Sequence, residues 1–549
     1  MRFGETPIDE AAGAILAHSW RANGVNFAKG RVLSGDDVAK LKSAGVATVV
    51  AARLDADDIH EDEAAATLAK ALAGEGIEIT APFTGRCNHF ARGAGLAVVD
   101  HERIDALNEL DESVTVATLP PFARVEPRQM VATVKIIPYA APRTAMARAL
   151  EVANSANQPL VSVAPFRAMK AGLVQTRLPG TRDKVLDKAV GTTTKRLRSL
   201  GSALVGERRV THDAKAIAGA LKELKGEGCD IFLIAGASAI VDRHDVVPAG
   251  IEEAGGEVIH FGMPVDPGNL LLTAKLDGKP VLGLPGCAKS PKYNGFDMVL
   301  ERLAAGLPVG RAEIVRMGAG GLLAEIASRP QPRDDDAEEA GPQQAPRVAA
   351  LVLAAGRSTR MGGPNKMLAE AGGQPLVVHA VKAALASQAV EVVVVLGNMA
   401  DEVRAVVEKA VPAESRLRFV VNPDFTKGLS TSVGAGIGAL GQDIDAAIVQ
   451  LGDMPGVGAP LLDRLMAAFS PVEGRSICVP TVGGKRGNPV LWARRFFPEM
   501  ARLSGDSGAK HLIGEHADLV CEVEMTGEAA VTDIDTPEAL AAWRARSKA

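Results

Sequence analysis

The chain has 549 residues, a formal net charge of −5, 23% charged residues and 3% aromatic residues. One hydrophobic core rarely extends beyond about 250–300 residues, so we expect at least two domains. The mild negative charge, without a dense basic block, argues against general nucleic-acid binding through phosphate neutralisation and leaves small anionic ligands open.

The cysteines and the N-terminal residues indicate the compartment. Five cysteines are scattered along the chain without a CxxC pair, which favours reduced thiols over a disulfide framework or a zinc site. The first residues, MRFGETPIDEAAG, carry acids where a signal peptide has a basic and then an apolar segment. Since the apolar runs are far shorter than the ~20 residues of a membrane helix, we expect a cytoplasmic protein that contacts no membrane.

Residues 1–155 are expected to form an α+β region. The segment KGRVLSGDDVAKLKSAG, residues 29–45, predicts a strand followed by a helix that begins at an aspartate and stops at a glycine. The segment EDEAAATLAKALAGEG, residues 61–76, predicts a helix whose first turn carries acids, where they interact favourably with the helix dipole.

Residues 156–327 are expected to form an α/β domain with a parallel sheet. Short apolar runs alternate there with helical patterns. The predicted elements, in chain order, are a strand in LVSVAP (160–165), a helix over about Asp213–Lys225, a strand over Asp230–Ser238, a helix over Val246–Glu253, and strands in EVIHF (257–261) and KPVLGLPG (279–286).

Residues 328–346 are expected to be a flexible linker, because SRPQPRDDDAEEAGPQQAP is rich in prolines and acids and has no large apolar residue. Residues 347–549 then form a separate domain. Val-rich runs alternate with amphipathic stretches from RVAALVLAAG to AAIVQLGDMP, which predicts βαβ units in a largely parallel sheet.

The segment LVLAAGRSTRMGGPNKM, Leu351–Met367, predicts a nucleotide site. A strand leads into the tripeptide AAG at 354–356, where small residues let backbone N–H groups approach a ligand closely. Arg357, Arg360 and Lys366 follow, and their cationic groups suit a triphosphate. The segment contains neither GxxxxGK[ST] nor GxGxxG, so a P-loop or a dinucleotide-binding fingerprint is not indicated.

The same segment resembles the signature of the MobA/MocA-type nucleotidyltransferases, which make the dinucleotide forms of the molybdenum cofactor. The shared string is LAAGxSxRMGxxNK. Further landmarks follow in the same order: NPDFTKGLSTSV (422–433), QLGDMP (450–455), GNPV (487–490), LSGDSGAK (503–510) and DIDTPEAL (533–540). The resemblance covers about Val348–Arg544 and implies a Rossmann-like, GT-A-like fold for this domain.

The resemblance also implies site residues. Asp453 follows a strand at the carboxyl edge of the predicted sheet, and the family implies that it binds Mg²⁺, with Asp535 as a second ligand. The alternative for Asp535 is the N-cap of the helix beginning TPEAL. The implied catalytic residues are Arg360, Lys366 and Asp453. The implied nucleotide contacts are Leu353, Ala354, Ala355, Gly356, Lys366, Gly428, Ser430 and Ser432, with the Gly428–Ser432 loop at the base or ribose.

The nucleotide is expected to be CTP. In this family LAAG resembles the cytidylyltransferase branch, whereas guanylyltransferases more often show LAGG, so Ala355 favours CTP. A GTP-using guanylyltransferase and a sugar-phosphate nucleotidyltransferase are the alternatives among enzymes.

The segments Ile234–Leu271 and Gly278–Ser290 resemble the molybdopterin-binding domain shared by MoeA and MogA, and weaker likeness extends over about Ile8–Pro308. The family's GG is Ala-Gly at 235–236 here, and its GLPGNP is GLPGCA, so pterin binding is favoured over molybdate insertion. For Asp242 and Asp245, the alternative to pterin binding is a solvated turn and a helix cap. The implied pterin-binding residues are Gly236, Ser238, Asp242, Asp245, Gly283, Pro285 and Gly286.

Together these features predict a multidomain α/β enzyme of molybdenum-cofactor maturation. Its C-terminal domain would transfer CMP from CTP to molybdopterin with Mg²⁺ and release pyrophosphate, while its N-terminal half would bind the pterin. The expected partners are these small-molecule substrates and a molybdenum hydroxylase or its maturation chaperone, without nucleic acid. The non-enzymatic alternative is a molybdopterin carrier for such hydroxylases.

Overall fold

The computed structural model describes residues 1–22, 25–323, 345–356, 365–471, 474–503, 505 and 509–546. Buried apolar side chains form separate clusters that follow one another along the chain, at about residues 8–51, 64–163, 171–317 and 348–525. Most of the expected linker, residues 328–346, lies outside the described residues. Among the described helices, none is both long and apolar enough to cross a membrane.

The first 165 residues combine antiparallel sheets with helices, as expected for an α+β region. The strands are β1 (Arg2–Pro7), β2 (Ile15–Leu16), β3 (Trp20–Ala22), β4 (Val25–Phe27), β5 (Thr48–Arg53), β6 (Asp58–His60), β7 (Ile77–Ile79), β8 (Arg86–Ala91), β9 (Gly95–Val99), β10 (Val114–Thr118), β11 (Arg124–Val125), β12 (Met130–Ile136), β13 (Ala140–Pro142) and β14 (Val161–Pro165). The helices are α1 (Gly35–Ser43), α2 (Glu61–Leu72), α3 (His101–Asn108) and α4 (Arg143–Ala153). The larger sheets have the strand orders β1-β5-β2, β10-β12-β8-β7 and β11-β9-β14.

Both helices predicted in this region are confirmed, with one correction at the start of α1. The Ser34 hydroxyl accepts a hydrogen bond from the Asp37 N–H, and the Asp37 carboxylate accepts one from the Ser34 N–H. The predicted aspartate cap is therefore wrong, because the serine is the N-cap and Asp37 completes the capping box from the third helical position. The strand predicted just before this helix is reduced to one bridge between Ile15 and Val32.

The middle region has one six-stranded sheet with helices packed on it. Its strands are β15 (Lys170–Arg177), β16 (Ala203–Thr211), β17 (Ile231–Ala235), β18 (Glu257–Phe261), β19 (Leu272–Leu276) and β20 (Lys279–Gly283). Its helices are α5 (Asp183–Ser199), α6 (Ala214–Gly226), α7 (Val246–Glu253), α8 (Gly295–Ala304) and α9 (Arg311–Val315). The strand order is β16-β15-β17-β20-β19-β18, and the two predicted helices α6 and α7 are confirmed.

Two expectations for this sheet are wrong. It is mixed rather than parallel, because β19 and β20 are joined by the two-residue turn Asp277-Gly278, whose positive φ angles of 49° and 77° form a tight antiparallel hairpin. The segment Val161–Pro165, expected at its start, instead pairs antiparallel with β9 of the first region. A local apolar run predicts a strand but does not identify its partner.

The C-terminal region also has one large sheet. Its strands are β21 (Val348–Ala354), β22 (Glu370–Ala371), β23 (Gln374–Pro375), β24 (Glu391–Leu396), β25 (Leu417–Val421), β26 (Ala446–Leu451), β27 (Ile477–Val482), β28 (Lys485–Arg486), β29 (Val490–Ala493) and β30 (Val520–Glu524). Its helices are α10 (Leu376–Ala386), α11 (Ala400–Ala410), α12 (Leu429–Gly438), α13 (Ala459–Ala468), α14 (Phe497–Met500), α15 (Lys510–Glu515) and α16 (Pro537–Arg546).

The βαβ pattern predicted for this region is confirmed in its first half. The strand order is β25-β24-β21-β26-β29-β27-β28, with β30 beside β27. The first four strands are parallel, and all residues of β21 are buried between covered faces. The second half departs from a parallel sheet, since β29 is antiparallel to β26 and the Gly-Gly turn at 483–484 closes a hairpin between β27 and β28.

A glycine at position 487 lets two segments of this region pack in direct contact. A Cβ atom there would lie 2.1 Å from the Ala530 carbonyl oxygen. The next residue, Asn488, donates its N–H to the same oxygen at 2.8 Å. The short segment that precedes α16 is thereby held against the end of β28.

Replacing Gly487 with alanine is expected to lower the stability of the C-terminal region by about 1–3 kcal/mol, since the methyl group would overpack against backbone. Differential scanning calorimetry of the full chain measures the shift in melting temperature. Gly514→Ala in α15 is the matched control, because a Cβ atom there meets nothing within 4 Å. An unchanged melting temperature in Gly487→Ala would contradict the close packing.

Candidate nucleotide site

Two neighbouring parallel strands bear the candidate site at their carboxyl ends. Leu353 of β21 pairs with Leu451 of β26, so the chain leaves both strands at the same edge of the sheet. The first strand continues into Ala355 and Gly356, and Asp453 follows the second strand two residues after its end. Asp453 therefore lies at the carboxyl edge of the sheet, as predicted.

Lys366 joins two carboxylates that are distant in the sequence. Its Nζ donates to Oδ2 of Asp453 and, at 2.6 Å, to Oδ1 of Asp535. The side chains of Asp453 and Lys366 are 9% and 13% exposed, whereas that of Asp535 is 35% exposed. Three predicted site residues are thus brought together from three separate segments.

The segment before Lys366 is fixed by hydrogen bonds and close packing. Asn365 donates through Nδ2 to the Asn398 carbonyl at 2.8 Å and accepts from the Met367 N–H at 3.0 Å. A Cβ atom at Gly452 would lie 2.9 Å from the Met367 Sδ. Glycine at this position therefore lets the segment lie directly against the end of β26.

Asp535 is brought to the site by a backbone contact. The Ile534 N–H donates to the Asp453 carbonyl at 3.0 Å, which places the neighbouring aspartate beside Asp453. Thr536 directly precedes the first residue of α16, and its hydroxyl accepts from the Ala539 N–H at 3.3 Å. The helix-cap alternative for Asp535 is therefore wrong.

Burial and charge oppose each other in this cluster. Burial raises the pKa of Asp453 above its usual range, and attraction to Lys366 opposes that rise. Burial alone would lower the pKa of Lys366, but Asp453 and Asp535 outweigh it, so this pKa is raised. Two carboxylates and one ammonium group carry a formal charge of −1 in a poorly solvated place, which favours a divalent cation.

The donor set fits Mg²⁺. Oδ1 of Asp453 is buried and accepts no hydrogen bond within the part of the chain that the structure describes. Mg²⁺ commonly binds one or two carboxylates together with substrate phosphates. No group of three or more His, Cys, Asp or Glu side chains suited to a metal occurs among the described residues, so water and phosphate oxygens would complete the coordination.

A cavity of about 370 Å³ opens beside this cluster. It contains most of the predicted nucleotide contacts, but Ala354 and Ser430 are buried outside its walls. Arg360, a predicted catalytic residue, lies outside the described residues, as does Arg357. The walls are formed by Leu353, Ala355, Gly356, Lys366, Met367, Phe425, Thr426, Lys427, Gly428, Leu429, Ser432, Leu451, Asp453 and Gly505.

The predicted Gly428–Ser432 loop is a helix N-terminus. Gly428, at φ +118°, precedes the first residue of α12 and has a backbone conformation that favours glycine. The Ser432 hydroxyl accepts from Asn422 Nδ2 at 3.0 Å. Ser430 is fully buried, and its hydroxyl has no hydrogen-bond partner among the described residues. The expectation of a loop over Gly428–Ser432 is wrong, because the polar residues STS at 430–432 continue into an apolar helical pattern.

Lys427 also lines the cavity, although sequence reasoning did not single it out. Its ammonium group lies 2.8 Å from the Asp424 carboxylate and is 68% exposed. The sequence feature that could have indicated Lys427 is its position directly before Gly428 in the landmark NPDFTKGLSTSV.

A second cavity of about 150 Å³ adjoins the first and shares Leu353, Leu429 and Leu451 with it. Its walls are mostly apolar, with the polar side chains of Asn488 and Lys510 among them. The landmarks GNPV and LSGDSGAK contribute these two polar residues. The remaining walls are Val433, Val449, Val490, Trp492, Met500, Ala509 and Ile513.

Some of the predicted pterin-binding residues meet at a smaller cavity in the middle region. It measures about 70 Å³ and lies at the carboxyl ends of β17 and β20. Gly236, Ser238, Pro285 and Gly286 line it. Gly283 instead packs in the sheet, where a Cβ atom would lie 2.7 Å from the Ile240 Cδ1.

The two predicted pterin-binding aspartates are not among the residues that line this cavity. Asp242 is exposed and accepts hydrogen bonds from the His244 N–H at 2.8 Å and its Nδ1 at 2.7 Å. Asp245 is the N-cap of α7 and accepts from the Val246 and Val241 N–H groups. The structure thus places them in the turn and the helix cap that were the alternative.

The chain matches two known sequence families. Residues 350–519 match the MobA-like NTP transferase domain, which covers the two C-terminal cavities and the Lys366–Asp453 pair. Residues 5–53 match a domain of unknown function.

Curated relatives are similar to the C-terminal region. Nicotine blue oxidoreductase of Paenarthrobacter nicotinovorans is 31% identical over 206 residues, which is 36% of this chain and 97% of that protein. The 2-C-methyl-D-erythritol 4-phosphate cytidylyltransferase of Streptomyces coelicolor is 36% identical over 139 residues, 25% of this chain and 50% of that enzyme.

A solved structure also resembles this region. A homologue of Mycobacterium tuberculosis Rv0371c, from Mycobacterium sp. strain JC1, is 28% identical and aligns with 37% of this chain and 97% of its own, with a TM-score of 0.33.

Proposed function

The chain belongs, through its C-terminal region, to the MobA-like NTP transferase family, and on that premise we propose that it transfers CMP from CTP to the phosphate of molybdopterin. The products are the cytosine dinucleotide and pyrophosphate. The observation that carries the proposal is the cluster of Lys366, Asp453 and Asp535 beside a cavity of about 370 Å³.

In the proposed reaction, an oxygen of the acceptor phosphate forms a bond to the α-phosphorus of CTP. The bond from that phosphorus to the bridging oxygen breaks, and pyrophosphate leaves with its electron pair. Mg²⁺ held by Asp453 and Asp535 would supply charge neutralisation for the triphosphate. Lys366 would donate to phosphate oxygens where negative charge develops, and the backbone at Gly356 would approach them closely.

The second cavity supports an acceptor that is largely apolar with a polar edge. It adjoins the nucleotide cavity, as an acceptor site must if both substrates are to be held in line. Trp492 and the neighbouring aliphatic side chains suit a ring system, while Asn488 and Lys510 suit its polar groups and phosphate. A sugar-phosphate acceptor would need more hydroxyl-binding groups than the described wall residues offer.

Two observations support CTP over GTP. The tripeptide after Leu353 is AAG, the form that resembles the cytidylyltransferase branch. One relative that is 36% identical over 139 residues is named a cytidylyltransferase.

We also propose that the N-terminal half binds the pterin. Four of the seven implied residues line one cavity at the carboxyl ends of neighbouring parallel strands, where ligands of α/β proteins commonly bind. A molybdenum hydroxylase or its maturation chaperone would then receive the finished cofactor in the cytoplasm.

The oxidoreductase name of one relative favours a second candidate function, in which the same cavity holds a redox nucleotide. The two carboxylates favour transfer, because a redox nucleotide needs no divalent cation for hydride transfer while a triphosphate does.

A nucleotide panel tests the proposal. Purified protein with Mg²⁺ and molybdopterin is expected to release pyrophosphate with CTP and not with GTP, ATP or UTP. Release with GTP alone would overturn the CTP assignment. In a parallel sample that contains NADPH or NADH and an electron-accepting dye, oxidation of the nicotinamide with reduction of the dye, and no pyrophosphate release in the panel, would favour the oxidoreductase. Pterin binding without either reaction would favour the carrier.

A further inference from the structure

A chain of three polar side chains runs into the small cavity of the middle region. The Ser238 hydroxyl lies 3.0 Å from Nε2 of His212, and Nδ1 of the same imidazole lies 2.9 Å from the Thr176 hydroxyl. The Ala237 N–H donates to that threonine oxygen at 2.7 Å. The threonine is buried at the end of β15, while the serine is exposed at the cavity wall.

We assign the direction of these hydrogen bonds from the buried end. The Thr176 oxygen accepts from the Ala237 N–H, and donation of its hydroxyl proton to Nδ1 of His212 gives that buried proton an acceptor. The neutral imidazole then bears its proton on Nε2 and donates to the Ser238 oxygen. The serine proton is therefore free to donate away from the histidine, toward the cavity.

The cavity suits one tetrahedral anionic group. Its volume of about 70 Å³ has room for a few water molecules or one small anion. Lys289 lines it, and its ammonium group lies 3.5 Å from the Gly236 carbonyl. An ammonium group and an outward-facing hydroxyl on the same wall are donors for phosphate oxygens.

We propose that Ser238 and Lys289 bind a phosphate group in this cavity and that His212 is the positioning residue that turns the serine proton toward it. This inference rests on the proposed pterin-binding role of the N-terminal half and assigns the cavity to a phosphate group rather than to the ring. The same chemistry would bind the monoester of the pterin or free inorganic phosphate.

Calorimetric titration of the full chain with inorganic phosphate tests the assignment. The Lys366→Met background is expected to weaken phosphate binding at the C-terminal cavity, and the change in Kd caused by each further substitution reports on the middle-region site. Ser238→Ala and His212→Leu are each expected to raise the Kd about tenfold, as expected for the loss of a hydrogen bond to a charged group. His212→Gln, which retains a donor near the Nε2 position, is expected to remain within about threefold of the parent.

A matched control separates positioning from general damage. His260→Leu changes another partly buried histidine of the middle region, in β18, and its Kd is expected to equal the parent's. Absence of saturable phosphate binding, equal weakening by His212→Leu and His260→Leu, or equal Kd values for His212→Gln and His212→Leu would each overturn the proposal.

A competition experiment identifies the source of the phosphate. Displacement of inorganic phosphate by molybdopterin would support the pterin monoester as the ligand, and coexistence of both would support free phosphate. The transferase assay is read separately in the wild-type chain. Pyrophosphate release without phosphate binding at this site would contradict this inference alone. Phosphate binding at this site without pyrophosphate release would contradict the proposed transfer alone.

Discussion

Replacing Asp453 with asparagine is expected to lower turnover by at least about 1000-fold, equivalent to about 4 kcal/mol of barrier. Its Oδ1 is the buried carboxylate oxygen that has no partner in the described part of the site, and its Oδ2 accepts from Lys366. Asparagine retains the shape but removes the charge that would hold the cation. Alanine at this position is expected to be at least as damaging to turnover.

The same substitution is expected to change the free energy of unfolding little, within about 1 kcal/mol, since it removes a carboxylate whose burial is costly while Lys366 keeps Asp535 as a partner. Asp463→Asn is the matched control, because it changes a partly buried carboxylate of the same region that lies outside both cavities. Turnover is measured as pyrophosphate release with CTP and molybdopterin. If the turnover of Asp453→Asn equals that of Asp463→Asn, Asp453 has no part in the mechanism.

Replacing Lys366 with methionine is expected to lower turnover about 100- to 1000-fold, the loss typical of one preorganised donor to developing negative charge. The effect on the metal is expected to be opposite to that of Asp453→Asn. Without the ammonium group, Asp453 and Asp535 are left with a formal charge of −2, so the affinity for a divalent cation should rise.

Mn²⁺ titration followed by electron paramagnetic resonance measures that affinity without nucleotide. Lys366→Met is expected to bind Mn²⁺ more tightly than the wild type, and Asp453→Asn more weakly. Lys382→Met, a change on the exposed face of α10 where the lysine contacts Gln374, is the control and should alter neither quantity. Weaker Mn²⁺ binding in Lys366→Met would contradict the electrostatic account of the cluster.

The parts of this site that follow from strand order were predictable from sequence. A parallel βαβ pattern fixes which ends of the strands meet, so Asp453 after one buried strand and Gly356 after its neighbour had to lie at one edge. Lys366 follows Gly356 by ten residues and was confined to the same place. The contact with Asp535 was indicated only by the family resemblance. A backbone hydrogen bond from Ile534 to Asp453 brings that segment back over a long stretch of chain, and no local pattern reports such a contact.

The failures share a physical cause. Local patterns report burial and helix starts, but not partners that lie far along the chain. The apolar run at Val161–Pro165 predicts a strand correctly but not its sheet, because such a run carries no information on the neighbouring strand. Asp245 was read as a ligand by resemblance, although an aspartate directly before a helical pattern is also what a helix cap requires, and a cap is what the structure shows.

Labelled phosphorus distinguishes nucleotidyl transfer from every other use of the nucleotide. Purified protein is incubated with Mg²⁺, molybdopterin and CTP labelled in parallel samples at the α- or the γ-phosphorus. We expect the α-label in a pterin dinucleotide and the γ-label in pyrophosphate. Recovery of both labels in unchanged CTP, or transfer of γ-label to the pterin, would contradict nucleotidyl transfer at this site.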